Sequence, residues 1–475
     1  MKALVHPTIV EIDRKGGGQF GETEILEALI AHEALDAIQK PARQIRSLGV
    51  SVNRVKAFED HTHWSAVKEV CRRLRESGYQ ALLAGGSVRD MLMSREPNDF
   101  DVATDATPDQ VEALFPRAVA VGKAFGVIVL PQDGFEIEVA TFREDLEYRD
   151  GRRPEGVKCA PAEADAKRRD FTVNALFLDP ESGKIHDYVG GQKDLAAKIL
   201  RTVGEPFRRF TEDKLRLLRA VRFVVQLGFE LEAETHAALI RMAPEISVVS
   251  RERIRDEIEK LLRSPNRLKG LSLLLSTGLL SAALPESAPF IWGEKTEWLK
   301  RFEALGDEPI SMPTLLALFF LPVWNKTGEK DFRDRHLKSL KLDNHLMETI
   351  VFSLRHAKDF LSPAKLRRGE LAVLLRHRDA VSGLELATKL ANTPAGDASP
   401  WECDPDRTNW IESVKTEAAK TREFYLTGED LKRAGIAAGP WMGALLKEAQ
   451  MLQLEGSFTS REAALAWLEL QKKSE

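Results

Sequence analysis

Hydrophobic and polar positions divide the chain into three stretches with different periodicities. From Trp64 to about Arg201, short apolar runs of strand length alternate with segments of helical periodicity, which predicts a small α/β domain with a mixed sheet. After Thr211, apolar positions recur at helical spacing, so the rest of the chain is predicted to be all-α. Residues 1–60 fit neither pattern. We expect an N-terminal extension of unknown role there, with one helix over Glu22–Gln39; a start upstream of the true one is the alternative.

Turn residues set the predicted boundaries within the α/β stretch. Ala81–Ala84 is predicted to form a short buried strand that ends at Gly85-Gly86, where a helix begins. Phe100–Ala103 is predicted to be a second strand. Val127–Leu130 and Phe135–Phe142 flank an Asp-Gly turn and are predicted to pair as a hairpin.

Composition and charge exclude several classes of protein. Hydrophobic residues make up 43% of the 475 residues and charged residues 30%, so the chain can bury sizeable cores and is not disordered. The net charge of −4 excludes a globally basic protein but not a local basic groove. Cys71, Cys159 and Cys403 form no C-x-x-C pair, which suits a reducing compartment. The longest apolar run, Leu315–Leu321, is too short to span a bilayer, and we expect a cytoplasmic protein without a membrane segment or signal peptide.

Two features near the start of the α/β stretch favour phosphoryl transfer. Asp99 and Asp101 are two apart where the second predicted strand begins, so both carboxylates are expected on one face, where they repel each other. Mg²⁺ relieves such repulsion, and it prefers carboxylates together with substrate phosphates. Gly85 and Gly86 leave backbone N–H groups open to a phosphate, although a Gly-Gly pair is also a common strand–helix turn. Together they predict a magnesium-dependent site; a solvated edge strand with capping aspartates is the alternative.

Further charged residues in the same stretch are candidates for this site. Glu138 would be a third carboxylate if its strand neighbours that of Asp101, and a solvent-facing glutamate is the equal alternative. Arg168 and Arg169 would be fixed positive groups near a triphosphate, or ordinary surface arginines. The segment 187–195, with sequence DYVGGQKDL, is predicted to be a structural glycine-rich turn.

A charged helix is predicted at the start of the all-α part. Thr211 is predicted to open a helix that continues through Arg219 and Arg222, which would place Asp213 and Arg216 at i and i+3 on one face. They form either a weak ion pair or a pair that recognises a nucleobase. In the second case the carboxylate accepts from an exocyclic amino group and the guanidinium donates to the adjacent ring acceptor, a pattern that cytosine and adenine share. Arg219 and Arg222 would then contact phosphates.

Ordered sequence motifs carry a family resemblance. In chain order they are GGSVRD, NDFDVATDA, TFRED, YRDGRRPEGV, RRDFTVNAL, DYVGGQKDL, RTVGEPFRRFTEDKLRLLRAVRFVVQLGFEL and SRERIRDEIEKLL. From about Gly78 to Leu262 this series resembles the class II tRNA nucleotidyltransferase (CCA-adding enzyme) and bacterial poly(A) polymerase family. The resemblance implies a polymerase-β-like nucleotidyltransferase head followed by an all-α neck, body and tail. The implied divisions are 1–60 for the extension, 61–200 for the catalytic head, 201–270 for the neck, which selects the base, and 271–475 for the tRNA-binding body and tail.

The resemblance also implies roles for residues of the head. Asp99 and Asp101 are similar to the family's metal-binding pair. Gly86, Arg89 and Arg169 are similar to its contacts with the nucleotide phosphates. The implied reaction is attack of a primer 3′-hydroxyl on the α-phosphate of a nucleotide, with pyrophosphate leaving, and Mg²⁺ is the implied cofactor.

In the neck, the resemblance implies base selection. Asp213 and Arg216 resemble an amino-acid template that pairs with the base of CTP or ATP, and Arg219 and Arg222 complete the nucleotide site. The implied partners are CTP, ATP and the 3′ end of tRNA. No oligomeric state is predicted.

Two sequence elements bear on which member of the family this is. Tyr148–Pro154 matches a loop that CC-adding members lack, and Lys123–Phe125 stands where poly(A) polymerases carry a basic-Arg-Phe element. We therefore expect CCA addition, with A addition, poly(A) synthesis and a non-catalytic RNA-binding homologue as alternatives. The sole His-Asp dipeptide, His186-Asp187, lies in the glycine-rich motif, so no phosphohydrolase activity is predicted.

Overall fold

The structure of the chain is a computed structural model that describes residues 63–97, 99–122, 126–132, 134–145, 157–305, 308–393, 403–419, 421 and 423–472. These residues divide into two compact units: the first holds 63–145, 157–203 and 231–237, and the second holds 204–230 and 238–472. The predictions for Glu22–Gln39, Lys123–Phe125 and Tyr148–Pro154 fall outside the described residues.

The first unit is built on a mixed β-sheet. In chain order, the elements from Trp64 to Leu200 are α1 (Trp64–Glu76), β1 (Ala81–Ala84), α2 (Gly86–Leu92), β2 (Phe100–Thr104), α3 (Pro108–Leu114), β3 (Val119–Gly122), β4 (Val127–Gln132), β5 (Phe135–Thr141), β6 (Arg143–Asp145), β7 (Val157–Cys159), α4 (Ala162–Arg168), β8 (Leu176–Leu178), β9 (Ile185–Asp187), α5 (Gly191–Ala197) and β10 (Ile199–Leu200). Seven strands form one sheet in the order β3-β4-β5-β2-β1-β8-β9, and β6 pairs with β7. The predicted α/β head is confirmed.

The sheet follows the apolar pattern of the sequence. All four residues of β1 are buried, as the continuous apolar run requires for a central strand. The predicted hairpin is confirmed: β4 and β5 pair antiparallel, with Gln132 opposite Phe135. Strands β2 and β5 pair in parallel. The central strand β1 lies between β2 and β8. The last residue of β1 and the glycines after it therefore lie at the middle of the sheet.

The remainder of the described chain is mostly helical, as predicted. Its elements are α6 (Pro206–Glu212), α7 (Arg216–Leu227), β11 (Glu230–Leu231), α8 (Ala233–Met242), α9 (Arg251–Arg263), α10 (Arg267–Ser276), α11 (Leu279–Ala283), α12 (Ala288–Gly293), α13 (Lys295–Glu303), α14 (Met312–Trp324), α15 (Glu329–Asp331), α16 (Asn344–Leu361), α17 (Arg368–Leu375), α18 (Ala380–Ala391), α19 (Arg407–Ala418), α20 (Gly428–Arg433), α21 (Pro440–Leu454) and α22 (Arg461–Lys472). Fully buried aromatic rings, among them Trp298, Phe319 and Phe360, form its core. None of the helices within the described ranges is both long enough and apolar enough to cross a membrane.

One predicted helix is wrong. Thr211 does not open a helix through Arg222, because α6 ends at Glu212 and α7 begins only at Arg216. Between them, Asp213 has an extended backbone (φ −146°, ψ 108°), and its Oδ1 accepts a hydrogen bond from the Leu215 N–H at 3.0 Å. Aspartate favours such local bonds over a helix interior, so Asp213 separates the two helices.

Candidate active site

Two acidic side chains meet on adjacent strands at the middle of the sheet. Asp101 on β2 is the register partner of Glu138 on β5 in the parallel pairing. Neighbours of this kind project from the same face, so the expectation that the strand of Glu138 lies beside that of Asp101 is confirmed. Asp99 differs from expectation, because it lies just before β2 and is exposed. Its charge nevertheless acts on Asp101.

The electrostatic setting of Asp101 favours a cation. Burial raises the pKa of this carboxyl group to about 6. The negative charges of Glu138 and Asp99 also raise this pKa, and the positive charge of Arg169 lowers it. A divalent cation would offset this cost of charging. Across the described ranges, no three histidine, cysteine or acidic side chains form a ready metal cluster. Mg²⁺ commonly takes one or two carboxylates and completes its shell with water and substrate phosphates. Asp99 and Asp101 fit this requirement.

Gly85 lets a positive side chain lie close to Asp101. Its backbone has φ +72°, which a residue with a side chain rarely adopts. A Cβ added there would lie 2.8 Å from Arg169 Nη1 and 3.7 Å from Asp101 Oδ2. Glycine therefore leaves the space between the guanidinium and the carboxylate open. Gly86, by contrast, is the first residue of α2 and meets no such close contact.

Arg169 is held in place by buried acceptors. Its Nε and Nη2 donate to Asp165 Oδ2 at 3.2 and 3.1 Å, and its Nη1 donates to the carbonyl of Asn174 at 3.1 Å. Burial would raise the pKa of Asp165, but the charges of Arg169 and Arg168 outweigh burial and lower it. The guanidinium also lies 5.0 Å from the ring centroid of Phe177. The result is a fixed positive group beside the acidic pair.

Arg89 is buried and bonded to neighbouring side chains. Its side chain is on α2 and the residue is only 5% exposed. Its Nε and Nη2 donate to both carboxylate oxygens of Asp90, and its Nη1 donates to Asn174 Oδ1 at 2.6 Å. Asn174 Nδ2 in turn donates to Asp170 Oδ1 at 3.1 Å. Arg89 thus binds the side-chain amide of Asn174, and Arg169 binds the main-chain carbonyl of the same residue.

In the second unit, the predicted base-selecting pair lies at the junction of α6 and α7. Asp213 Oδ2 accepts from Arg253 Nη2 on α9 at 2.7 Å. Arg216 Nη1 donates to Glu212 Oε2 at 2.7 Å and to the Arg209 carbonyl at 2.9 Å. The Arg216 N–H also donates to the Asp213 carbonyl at 3.0 Å. The turn therefore ties the two residues together, although they do not lie on one continuous helix.

The two later arginines of α7 have different surroundings. Arg222 is 7% exposed, and its guanidinium pairs with Glu257 on α9, which is 4% exposed. It also stacks over the ring of Phe223 at 3.9 Å. Arg219 is partly exposed and lies 5.3 Å from the same ring. Arg222 is therefore buried and paired with Glu257, whereas Arg219 is partly exposed.

Sequence reasoning missed three residues that hold these side chains. Asp165 precedes Arg168 and Arg169 by three and four positions in α4 and its C-cap, a spacing that indicates helical ion pairs. Asn174 belongs to the RRDFTVNAL motif but carried no separate signal. Arg253 is 40 residues from Asp213, and only tertiary structure brings the two together.

Comparison with known proteins agrees with these observations. A family model described as "Poly A polymerase head domain" matches residues 81–201, and one described as "Probable RNA and SrmB- binding site of polymerase A" matches 228–291. The chain is 34% identical to a CCA-adding enzyme of Geobacillus sp. (strain WCH70) over 412 residues, which cover 84% of this chain and 95% of that protein. It is 48% identical to a CCA-adding enzyme of Geobacillus thermodenitrificans (strain NG80-2) over 236 residues, 50% of this chain and 57% of that protein.

A solved structure extends the likeness to the fold. The crystal structure of Bacillus stearothermophilus CCA-adding enzyme in complex with CTP is 30% identical in sequence and matches with a TM-score of 0.70. The match covers 87% of this chain and 98% of that chain. The predicted polymerase-β-like head and the family resemblance are confirmed: with a nucleotidyltransferase head and identity to relatives along most of its length, the chain belongs to the CCA-adding enzyme family.

Proposed function

We propose that this protein adds C, C and A to the 3′ end of tRNA from CTP and ATP, without a nucleic-acid template, and releases pyrophosphate. The observation that carries the proposal is the pairing of Asp101 with Glu138 next to Asp99, with Arg169 held beside them across Gly85. Fixed negative groups can bind metal ions and fixed positive groups can bind phosphates, and phosphoryl transfer needs both. We place this activity in the cytoplasm, as the cysteine pattern suggests.

The acidic residues bind and orient the reacting groups. Asp99 and Asp101 would hold Mg²⁺, which when bound lowers the pKa of the attacking 3′-hydroxyl and neutralises triphosphate charge. Glu138 adds negative charge at the next strand position, which strengthens the site for a cation. We assign Glu138 as the third carboxylate of the site.

Arg169 and the glycines position the triphosphate. The guanidinium has a fork geometry that matches phosphate oxygens, and Asp165 and Asn174 fix its orientation before substrate binds. Gly85 and Gly86 leave the backbone at this point free of side chains. We assign Arg89 a positioning role instead of a direct phosphate contact, because its bonds to Asp90 and Asn174 already hold it in a buried setting.

Base selection is assigned to Asp213 and Arg216. A carboxylate that accepts and a guanidinium that donates match the amino group and ring acceptor shared by cytosine and adenine. Arg253 orients the Asp213 carboxylate, and Glu212 orients Arg216. Arg219, which is partly exposed, is the better candidate for a nucleotide phosphate contact, while Arg222 supports α7 through Glu257.

Pyrophosphate release tests the proposed function. We expect release only when a tRNA lacking its terminal CCA, a divalent cation and CTP are all present, and further release when ATP is added. A chelator should stop the reaction, and an excess of Mg²⁺ should restore it. Absence of pyrophosphate in the complete mixture, or release that does not depend on RNA, would contradict the proposal.

A further inference from the structure

The sheet row that carries Asp101 continues to an edge strand with aromatic side chains. Strand pairing aligns Asp101 with Ala84, Ala84 with Phe177, and Phe177 with His186. Paired residues project from the same face of a sheet. At about 4.8 Å per strand, Phe177 is about 10 Å and His186 about 14 Å from Asp101 along this row. Tyr188 follows His186 by two residues.

These aromatic rings form a continuous line that starts at Arg169. The Arg169 guanidinium lies 5.0 Å from the ring centroid of Phe177, and the ring of Tyr188 meets Phe177 edge-on at 6.3 Å. The ring of His186 lies 6.4 Å from that of Tyr188, with 28° between the ring planes. Phe177 is fully buried, but Tyr188 is 39% exposed. The line therefore runs from the proposed phosphate-binding arginine to an open ring at the sheet edge.

The glycine-rich turn that carries Tyr188 is held rigidly. Asp187 Oδ1 accepts from the N–H groups of Val189, Gly190 and Gly191 at 3.2, 2.9 and 2.9 Å, and its Oδ2 accepts from the Gln192 N–H at 2.9 Å. One carboxylate thus fixes four consecutive backbone donors. An exposed ring on so rigid a turn loses little conformational freedom when it binds a ligand.

The same turn is braced against the segment that follows Arg169. A Cβ added at Gly191 would lie 2.2 Å from the Thr172 carbonyl oxygen, so only glycine fits. Thr172 Oγ1 donates to Asp194 Oδ2 at 2.7 Å, three residues after Gly191. The turn with Tyr188 and the loop with Arg169 therefore share one rigid support.

We propose that Tyr188, with His186 beside it, is a stacking platform for a base in the single-stranded 3′ end of the RNA primer. The proposal rests on the function proposed above. His186 is about 14 Å from Asp101 along the sheet row. Because stacked bases are about 3.4 Å apart, this distance places the platform a few nucleotides before the reacting hydroxyl. Stacking on an aromatic ring is tolerant of sequence, which suits an RNA end whose last base changes with each addition.

The charge near the platform also suits a nucleic acid. Burial and then the positive charge of Lys184 lower the pKa of His186, against the negative charge of Asp179, which raises it. Lys184 is exposed, so its ammonium group is available to the RNA backbone. An aromatic surface flanked by a cation is the arrangement by which proteins bind single strands without reading sequence.

Steady-state kinetics on the full-length enzyme test the platform. We expect Tyr188→Ala to raise the KM for a tRNA lacking its terminal A by about tenfold, while the KM for ATP stays unchanged. Tyr188→Phe should behave as wild type, because the ring remains. Tyr188→Leu keeps an apolar contact with Phe177 and should raise the KM for tRNA like the alanine variant. Val119→Ala, at an exposed position on the opposite edge strand of the same sheet, is the matched control and should leave both KM values unchanged.

Abasic RNA locates the base that stacks. One abasic position is introduced in turn at each of the last four nucleotides of the tRNA, and each RNA is tested with wild type and with Tyr188→Ala. Removal of the base that stacks on Tyr188 should weaken RNA binding by the wild-type enzyme about tenfold. The same removal should not weaken RNA binding by Tyr188→Ala any further. Additive effects at all four positions would show that no base contacts Tyr188.

The outcomes separate this inference from the proposed function. If wild type extends no RNA, the proposed function is wrong and the platform with it. If wild type extends tRNA while Tyr188→Ala and Tyr188→Leu keep the wild-type KM for tRNA, only the platform is wrong. A rise in the KM for ATP with no change for tRNA would likewise overturn it, by showing that the ring contacts the incoming nucleotide.

Discussion

Asp101 and Glu138 occupy one register position on two adjacent parallel strands, and burial together with the charge of Glu138 raises the pKa of Asp101 to about 6. Two such carboxylates repel each other unless a cation lies between them or near them. A carboxyl group with its pKa raised in this way costs free energy to charge, and a bound divalent cation would lower that cost.

Asp101→Asn should abolish nucleotide addition without unfolding the protein. The amide keeps the size of the side chain but removes the metal-binding charge, so we expect kcat to fall at least about 100-fold. Thermal unfolding should show an unchanged or higher melting temperature, because a repelling charge is lost. Asp109→Asn on the exposed first turn of α3 is the control and should keep wild-type kcat. Retention of more than about a tenth of wild-type turnover by Asp101→Asn would disprove the metal assignment.

Glu138→Gln decides between the two interpretations of that residue. As a third carboxylate of the site, its loss should lower kcat by about 10- to 100-fold and increase the Mg²⁺ concentration needed for half-maximal rate. Glu136, two residues earlier on β5, is also exposed, and Glu136→Gln is the matched control. Equal, near-wild-type rates and Mg²⁺ requirements for the two variants would make Glu138 a solvent-facing residue.

Arg169→Lys should weaken use of the nucleotide while keeping the positive charge. Lysine cannot reproduce the guanidinium fork held by Asp165 and Asn174, so we expect kcat/KM for CTP to fall by about 10- to 100-fold. Arg168→Lys alters the other arginine that binds Asp165 and is the control. If the two variants lose the same modest amount of activity, then Arg169 acts only as an ion-pair partner of Asp165 and does not bind the nucleotide.

Asp165 should make folding stability sensitive to acid. Its folded-state pKa is lowered by Arg169 and Arg168 against the effect of burial, so its contribution is complete above the unfolded pKa of about 3.9 and is lost as the pH falls through the lower folded value. Urea unfolding of wild type and Asp165→Asn between about pH 6 and pH 3 measures this. The free energy of unfolding should differ most at the higher pH and the two proteins should converge as the pH falls. A constant difference would show that the charge of Asp165 does not stabilise the fold.

Asp213→Ala should change which nucleotide is used more than how fast transfer occurs. UTP leaves the donors and acceptors of the wild-type site unpaired, at about 1–3 kcal/mol for each group, and loss of the carboxylate removes part of that penalty. The ratio of kcat/KM for CTP to that for UTP should therefore fall. Arg216→Ala should weaken CTP and ATP use together. A wild-type ratio in Asp213→Ala would place base selection elsewhere.

Local sequence patterns predicted the elements of the head, but not the contacts that fix its side chains. The apolar run Ala81–Ala84 and the glycines after it were sufficient to place β1 and α2, because local propensity and burial agree there. The helix break at Asp213, where the carboxylate accepts from the Leu215 N–H, was missed because Asp213 and Arg216 also have helical spacing. The contact of Asp213 with Arg253, 40 residues away, is not visible in a single sequence. The alignment of Asp101 with Phe177 and His186 depends on strand order and register, which a single sequence does not reveal when the strands are far apart.

The most direct test of the account is the sequence of the product made when all four nucleotides are offered together. The substrates are tRNAs that end before the CCA, after the first C and after the second C, and extension is resolved on a gel and the new 3′ ends are sequenced. We predict addition of CCA, CA and A respectively, followed by a stop, and no addition by Asp101→Asn. Addition of A alone to every substrate, a long run of A, or incorporation of U and G would contradict the claim that this protein completes the CCA end of tRNA.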